Sequence, residues 1–425
     1  MVKNGPILNH TSAGIPVIVE VLPRSRTAAL SVNFRVGSRD ENRDRCGIAH
    51  FLEHIMFKGT RERNAKQFSE MVEGAGGEMN AYTTKETTSY HVFSLDETFE
   101  VMKGLMADMM TAPLIDEEHV ELERGVVLQE ISMLEDDPED YSRVLLDRSI
   151  WEGHPMANTE TGRPEYVSGL QARDVRDFFE EHYRPPNICV VACGNVVADD
   201  VVSWVEDTFD ALPKVTVRNG RTPPTPKACT KVFPREGDQA YVELGFPGLS
   251  GKHHDRKALS LACIILGGGT SSRLYQTVRE NQGLVYHISM FPQAYTDCGI
   301  VDTFFSASLD KLDQVNSTIC AELIRFKNEG PSEEEMTRAK RWIKGMLVRK
   351  LEGTDSRLYW QGEHFMMNGE LAQVDRSLAE YEQVTKEDVA RVSNEIFQRK
   401  RMCVALLAPE KKGGKAAMRM QALDF

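Results

Sequence analysis

The order of patterned segments predicts an α+β fold built twice, as two homologous half-domains joined by an extended linker. Three observations carry this. At 425 residues the chain exceeds what one ordinary core organises. Asp174-Val175 to Cys189-Val190 matches Asp388-Val389 to Cys403-Val404 without a gap, an offset of 214 residues that is close to half the chain. Each copy reads as strands, then helices, then a last helix running into an apolar strand, which is an α+β pattern.

In chain order, the first element justified residue by residue surrounds His50-Phe51-Leu52-Glu53-His54. Ile48, Phe51, Leu52 and Ile55 follow the i, i+3, i+4, i+7 spacing and form the apolar stripe of a helix. Residues three and four apart share the other side, which collects His50, Glu53 and His54. Two neutral imidazoles one turn apart can each give a ring nitrogen to Zn2+ at about 2.0–2.1 Å. The carboxylate between them is then free to take a proton from an attacking water. A plain solvated polar face would look similar, so the metal reading needs a third protein ligand.

Gly76-Gly77 is a turn leading into a strand through Asn80, Ala81 and Thr83. Asp116 reads as the N-cap of the next helix, with Glu117 and Glu118 in an acidic first turn and Val120, Val127, Ile131 and Leu134 as its apolar positions. That helix carries Glu123 and Glu130, seven residues apart, hence on one stripe roughly 10.5 Å apart along the axis. One of them can reach the metal while the other reaches a ligand imidazole. Leu212-Pro213-Lys214, followed by Arg218 to Lys227 with three Pro and no apolar periodicity, reads as the linker. We place the first half at 1–212, the linker at 213–227 and the second half at 228–425. Halves so joined can close face to face as a clamshell.

In the second half, Gly267-Gly268-Gly269 is a turn, Ser271 opens a helix, Gly283 caps it and a strand runs from Leu284. The glycine run lacks the Gly-Lys-Ser/Thr ending of a phosphate loop. This half has no His-x-x-Glu-His, and its His253-His254 pair has no matching acid and reads as surface. The basic, glycine-containing stretch Lys411 to Arg419 is expected to be disordered.

Composition narrows location and partners. No stretch reaches the ~18 apolar residues of a membrane span, and Ile15 to Val19 is too short for a leader. Eight Cys are scattered without a C-x-x-C pair, which points to free thiols in a reducing cytoplasm. The net charge of −13 argues against a nucleic-acid partner.

The order His50-Phe51-Leu52-Glu53-His54, followed by Glu123-Arg124-Gly125-Val126-Val127-Leu128-Gln129-Glu130, resembles the inverted zincins of the insulysin, pitrilysin and mitochondrial processing peptidase family. The resemblance implies that each half is a mostly antiparallel sheet packed with helices. It implies one Zn2+ per chain held by His50, His54 and Glu130, with Glu53 as general base and Glu123 steadying a ligand imidazole. Gly76 to Thr83 resembles the family's active-site edge strand, where the backbone of Asn80 and Ala81 receives the substrate as an added β-strand. Arg279 and Tyr286 match an Arg and a Tyr that come from the second half to hold the substrate carbonyls.

The function so implied is a zinc metalloendopeptidase acting on unfolded peptides or short unstructured segments. Two alternatives remain within the same fold: a peptidase that matures one specific precursor, and a non-catalytic scaffold or partner subunit. Small relatives commonly pair, which leaves a homodimer open.

Overall fold

A computed structural model describes residues 5–214, 220–409 and Gly414. The chain divides into two compact units, each assembled from three segments. The first takes Met1–Met133, Asn158–Arg221 and Val348–Gln373; the second takes Leu134–Ala157, Thr222–Leu347 and Val374–Phe425.

The sheet of the first unit contains β1 (Ile7–His10), β2 (Pro16–Val21), β3 (Thr27–Phe34), β4 (Glu78–Thr83), β5 (Thr88–Leu95) and β6 (Ile188–Gly194). Their spatial order is β1-β2-β6-β3-β5-β4. Every pairing is antiparallel except β2 with β6. All seven residues of β6 are buried, and its sequence is a continuous run of apolar and small residues, as expected of a strand covered on both faces. One face is covered by helices that include α1 (Ile48–Met56), α2 (Glu117–Asp136) and α4 (Ala172–His182). The other face, made of Ile18, Ala29, Cys189, Val191 and Cys193, is covered by Leu358, Phe365 and Met366 of α5 (Thr354–Asn368).

The second unit repeats the plan. Its strands are β7 (Cys229–Pro234), β8 (Gln239–Pro247), β9 (Ile288–Ala294), β10 (Gly299–Ser308) and β11 (Cys403–Ala408), ordered β7-β11-β8-β10-β9. Only β7 with β11 is parallel. Helices that include α6 (Lys386–Ile396) build the larger core on one face. Leu145, Leu146 and Ile150 of α3 (Pro138–Ile150) cover the other, against Cys403, Ala405 and Leu407. The repeated segments coincide in the structure: α4 leads into β6 as α6 leads into β11, and both strands lie between a parallel and an antiparallel neighbour.

The units differ from the contiguous halves 1–212 and 228–425 in two segments. Residues 134–157 belong to the second unit and 348–373 to the first. The physical reason is that each sheet has a second apolar face that must be buried. In each unit the helix that buries it comes from the other half of the sequence.

Of the linker, 220–227 has no regular secondary structure. Arg221 within it is fastened, its Nε and Nη2 donating to the Asp40 carboxylate at 2.8 and 2.6 Å. Residues 215–219 and, apart from Gly414, the tail from Lys411 to Arg419 lie outside the described residues. The strand expected from Leu284 begins instead at Ile288, because Gly283 and Leu284 give their N–H groups to the preceding helical turn. The Leu284 N–H bonds the Val278 carbonyl at 3.0 Å and the Gly283 N–H bonds Arg279 at 2.9 Å, which closes the preceding helical turn. Gly283 sits at φ 58, as its capping role requires.

Candidate metal centre

Helix α1 is seated by its apolar side, which leaves His50, Glu53 and His54 on the other. Ile48, Phe51, Leu52 and Ile55 are all fully buried, as their spacing predicts. Gly47 precedes the helix at φ 98, a conformation that glycine adopts without strain. No N-cap side chain is present. The buried Glu41 carboxylate serves instead, accepting the N–H groups of Gly47 and Ala49 at 2.8 and 3.0 Å. Burial pushes its pKa well up, against the pull of those two N–H groups.

Helix α2 then brings its carboxylates alongside. Asp116 Oδ1 accepts the His119 N–H at 2.9 Å, so the predicted cap is in place. Glu130 Oε1 lies 3.7 Å from His50 Nε2, and its Oε2 lies 3.4 Å from His54 Nε2. His50, His54 and Glu130 each offer one ligand atom, all within 4.8 Å of one another. Donors about 2.0–2.1 Å from one tetrahedral ion stand roughly 3.3–3.4 Å apart, so modest side-chain adjustment accommodates Zn2+. The set is two imidazoles and a carboxylate, which leaves a fourth position open as catalytic zinc sites do.

The residues around these three differ in what they touch. Glu123, two turns ahead of Glu130 and buried, accepts from His54 Nδ1 at 3.1 Å and from Lys58 Nζ at 2.5 Å. It does not join the donor cluster: of the two seven-spaced carboxylates, Glu130 faces the Nε2 atoms of His50 and His54, and Glu123 faces Nδ1 of His54. Glu53 Oε2 accepts the Thr83 hydroxyl at 2.5 Å. Burial, then the His54 charge, lowers the His50 pKa to about 4, which keeps its ring neutral and its lone pair available. Burial raises the Glu53 pKa, and the Thr83 hydroxyl only partly counters it. Burial alone would lower His54, but hydrogen bonds to Glu130 and Glu123 outweigh it and raise its pKa.

Among the described residues strand β4 is the sheet's edge and pairs with β5 alone, Asn80 opposite His91 and Ala81 opposite Tyr90. The Asn80 side-chain oxygen accepts the Ala81 N–H at 2.8 Å. Arg279 and Tyr286 lie in the second unit. The Arg279 guanidinium stands 5.5 Å from the Tyr286 ring centroid and 4.7 Å from that of Tyr275, and Tyr286 is 84% exposed.

Sequence reasoning missed three contributors. Lys58 stands four residues past His54, a spacing that would have placed it beside Glu123. Thr83 alternates with Ala81 on β4 and so shares its face. Glu41 carried no signal, since its carboxylate reaches α1 from a loop. Leu122, Val126 and Met133 are exposed on one stripe of α2, with Val126 and Met133 one turn before and after Glu130.

His253, His254 and Asp255 form a second cluster of ligand-type side chains. Its carboxylate is engaged by Arg391, whose two terminal nitrogens donate at 2.9 and 2.6 Å. Against expectation, then, the His253-His254 pair has an acid beside it, but an ion there would have to displace that guanidinium.

Comparison with known proteins bears on the same residues. The model of the insulinase family, peptidase family M16, matches residues 16–163, which contain the whole donor cluster. A second model, the peptidase M16 inactive domain, matches 169–342. An uncharacterized zinc protease of Streptomyces coelicolor is 34% identical over 94% of this chain and 88% of its own. The uncharacterized zinc protease YmxG of Bacillus subtilis is 31% identical over 93% of this chain and 96% of its own. The chain belongs to the insulinase family. Two solved structures share its fold: a peptidase M16 inactive domain from Pseudomonas fluorescens and a protease from Helicobacter pylori. The first has a TM-score of 0.89 at 19% identity, over 95% of this chain and 98% of that one. The second has a TM-score of 0.88 at 22% identity, over 95% and 99%. Within this M16 chain the cluster of His50, His54 and Glu130 falls in the segment matched by the insulinase model, and among the described residues the segment matched by the inactive-domain model holds the His253 group alone. Among the described residues no helix is long and apolar enough to cross a membrane.

Proposed function

We propose that this chain is a zinc metalloendopeptidase that cuts unfolded peptides or short unstructured segments, with one ion held by His50, His54 and Glu130. The observation that carries the reading is the convergence of those three side chains beside a carboxylate, Glu53, that is not among them. Zinc bound there would polarise the scissile carbonyl and lower the pKa of a water molecule. Glu53 takes the proton of the attacking water and returns it to the leaving amine, held in place by Thr83. Glu123 fixes the His54 ring through Nδ1. The peptide lies along the open edge of β4 at Asn80 and Ala81, where main-chain hydrogen bonds supply affinity. Its own N–H and C=O groups must be unpaired to do so, which limits substrates to extended segments. Exposed Leu122, Val126 and Met133 support binding of the apolar side chains that unfolded segments present. Arg279 and Tyr286 steady the developing oxyanion.

Eight cysteines spread along the sequence without a C-x-x-C pair favour a reducing compartment, the cytoplasm in our reading. A scaffold subunit has no need of the complete set His50, Glu53, His54 and Glu130, and here none is lacking. The test is cleavage of a mixed set of quenched unstructured peptides by purified protein, before chelation, after it, and after one equivalent of zinc. We expect loss and recovery, and a Glu53→Gln variant that binds zinc but loses several orders of magnitude in kcat. Near-full activity in that variant would sink the mechanism. Cutting of one site in one precursor, with mixed peptides left intact, would favour the processing alternative.

A further inference from the structure

Cys229 and Cys403 meet within the second unit, and neither belongs to the chemistry above. They are directly paired residues of the parallel strands β7 and β11. Their sulfurs are 3.0 Å apart. Neighbouring strands run about 4.8 Å apart, within the Cα separation of about 4.4–6.8 Å that a disulfide accepts. Closing the bond therefore asks for roughly 1 Å of side-chain movement and no change of register.

The two thiols are unequal in a way that assigns their roles. Cys403 is fully buried on β11. Cys229 is half-buried on β7, the edge strand, with Lys227 and Lys231 both paired to Glu152 beside it. The hydrogen bond from Cys403 is the main cause that brings the Cys229 thiol down to about 7, with Lys231 helping. Cys403 is pushed up correspondingly. Burial pushes Cys189 and Cys193 up to about 12 and Cys320 up to about 11, so these are poor nucleophiles. The pair is also specific to the second copy of the repeat. Cys189 occupies the position equivalent to Cys403, but β2, its parallel neighbour, carries no cysteine.

We propose that Cys229 and Cys403 are a redox-active pair that closes to a reversible disulfide on exposure to a hydroperoxide. The Cys229 thiolate attacks the peroxide, the O–O bond breaks, and water or an alcohol leaves a sulfenic acid on Cys229. The Cys403 sulfur attacks that sulfenic sulfur, the S–O bond breaks, water departs and the S–S bond forms. Two thiols give up two electrons and one hydroperoxide takes them. The bond pins the edge strand β7 to its neighbour β11 across 174 residues of sequence. Linking such distant positions restricts the unfolded chain and raises the thermal midpoint.

The experiment treats the reduced full-length protein with hydrogen peroxide, then maps peptides by mass spectrometry with and without dithiothreitol. We expect loss of two of the eight thiols, one linked peptide pair containing Cys229 and Cys403, a higher thermal midpoint, and full reversal by dithiothreitol. Cys229→Ser, a change at a half-buried site, should yield no linked pair. Cys403→Ser should instead accumulate a sulfenic acid on Cys229 that dimedone traps. Linkage through other cysteines, or stepwise oxygen addition to Cys229 in the wild type without a linked pair, would overturn the proposal. Neither outcome depends on the metal site.

Discussion

Glu123 is where the geometry makes its most quantitative demand. The carboxylate is buried and accepts two hydrogen bonds, from His54 Nδ1 at 3.1 Å and Lys58 Nζ at 2.5 Å. Its bond to Nδ1 leaves Nε2 as the nitrogen with a free lone pair and points it at Glu130. Removing such a support typically costs 10–100-fold in metal affinity, about 1.4–2.7 kcal/mol. In Glu123→Ala the ring loses both its orientation and its tautomer preference, and the Lys58 ammonium is left near the ligands without its counter-charge. The loss should therefore lie toward the upper end of that range. Glu123→Gln keeps an oxygen that accepts from Nδ1 but gives up the charge, which lowers a charge-assisted bond toward a neutral one, a difference of about 1 kcal/mol. It should fall about five- to tenfold. The assay is zinc competition against a chromophoric chelator at fixed pH, with circular dichroism confirming that each variant is folded. Glu130→Gln, losing a ligand outright, should fall further than either. Wild-type affinity in a folded Glu123→Ala refutes the reasoning.

Three further expectations concern the framework. Leu358→Ala on α5 empties a fully buried position in the second core of the first unit, and should cost about 2–5 kcal/mol in denaturant unfolding; a value under 1 kcal/mol would mean that α5 does not seal that face. A fragment of residues 1–212 leaves Ile18, Ala29 and Val191 without the cover of α5, so it should expose apolar surface by dye binding, and addition of a 348–373 peptide should reduce it. Arg143 pairs with Asp302 at 2.5 Å beside the buried Glu243, whose pKa burial pushes well up. A folded pKa above the unfolded one means that this contribution is complete below about 4.5 and is lost as pH rises through the folded value. Glu243→Gln removes that loss, so its stability relative to wild type should increase between pH 5 and pH 8 in urea titrations; a difference that does not change with pH would contradict a protonated Glu243.

How much of this was legible beforehand depended on distance along the chain. The proposed α1 ligands and base sit within five residues, and the helix period alone puts His50, Glu53 and His54 on one side. Glu123 and Glu130 share a stripe by the same rule, and the structure decided between them: Glu130 faces the two Nε2 atoms and Glu123 the far side of His54. The repeat at 214 residues was readable because α4 with β6, and α6 with β11, occupy equivalent places in sheets whose order matches once the additional β1 of the first is set aside. Leu358, Phe365 and Met366 form an apolar stripe that predicts burial, yet a stripe carries no address, and only packing assigned it to the sheet of the first unit. The meeting of Cys229 with Cys403 was hidden for the same reason, since register between strands 174 residues apart is set by the whole sheet. Local periodicity is a property of the backbone and can be read from a string of residues. The choice of which apolar face covers which sheet, and which distant side chains then touch, is a collective solution to burying every face at once, and exists only in the folded chain.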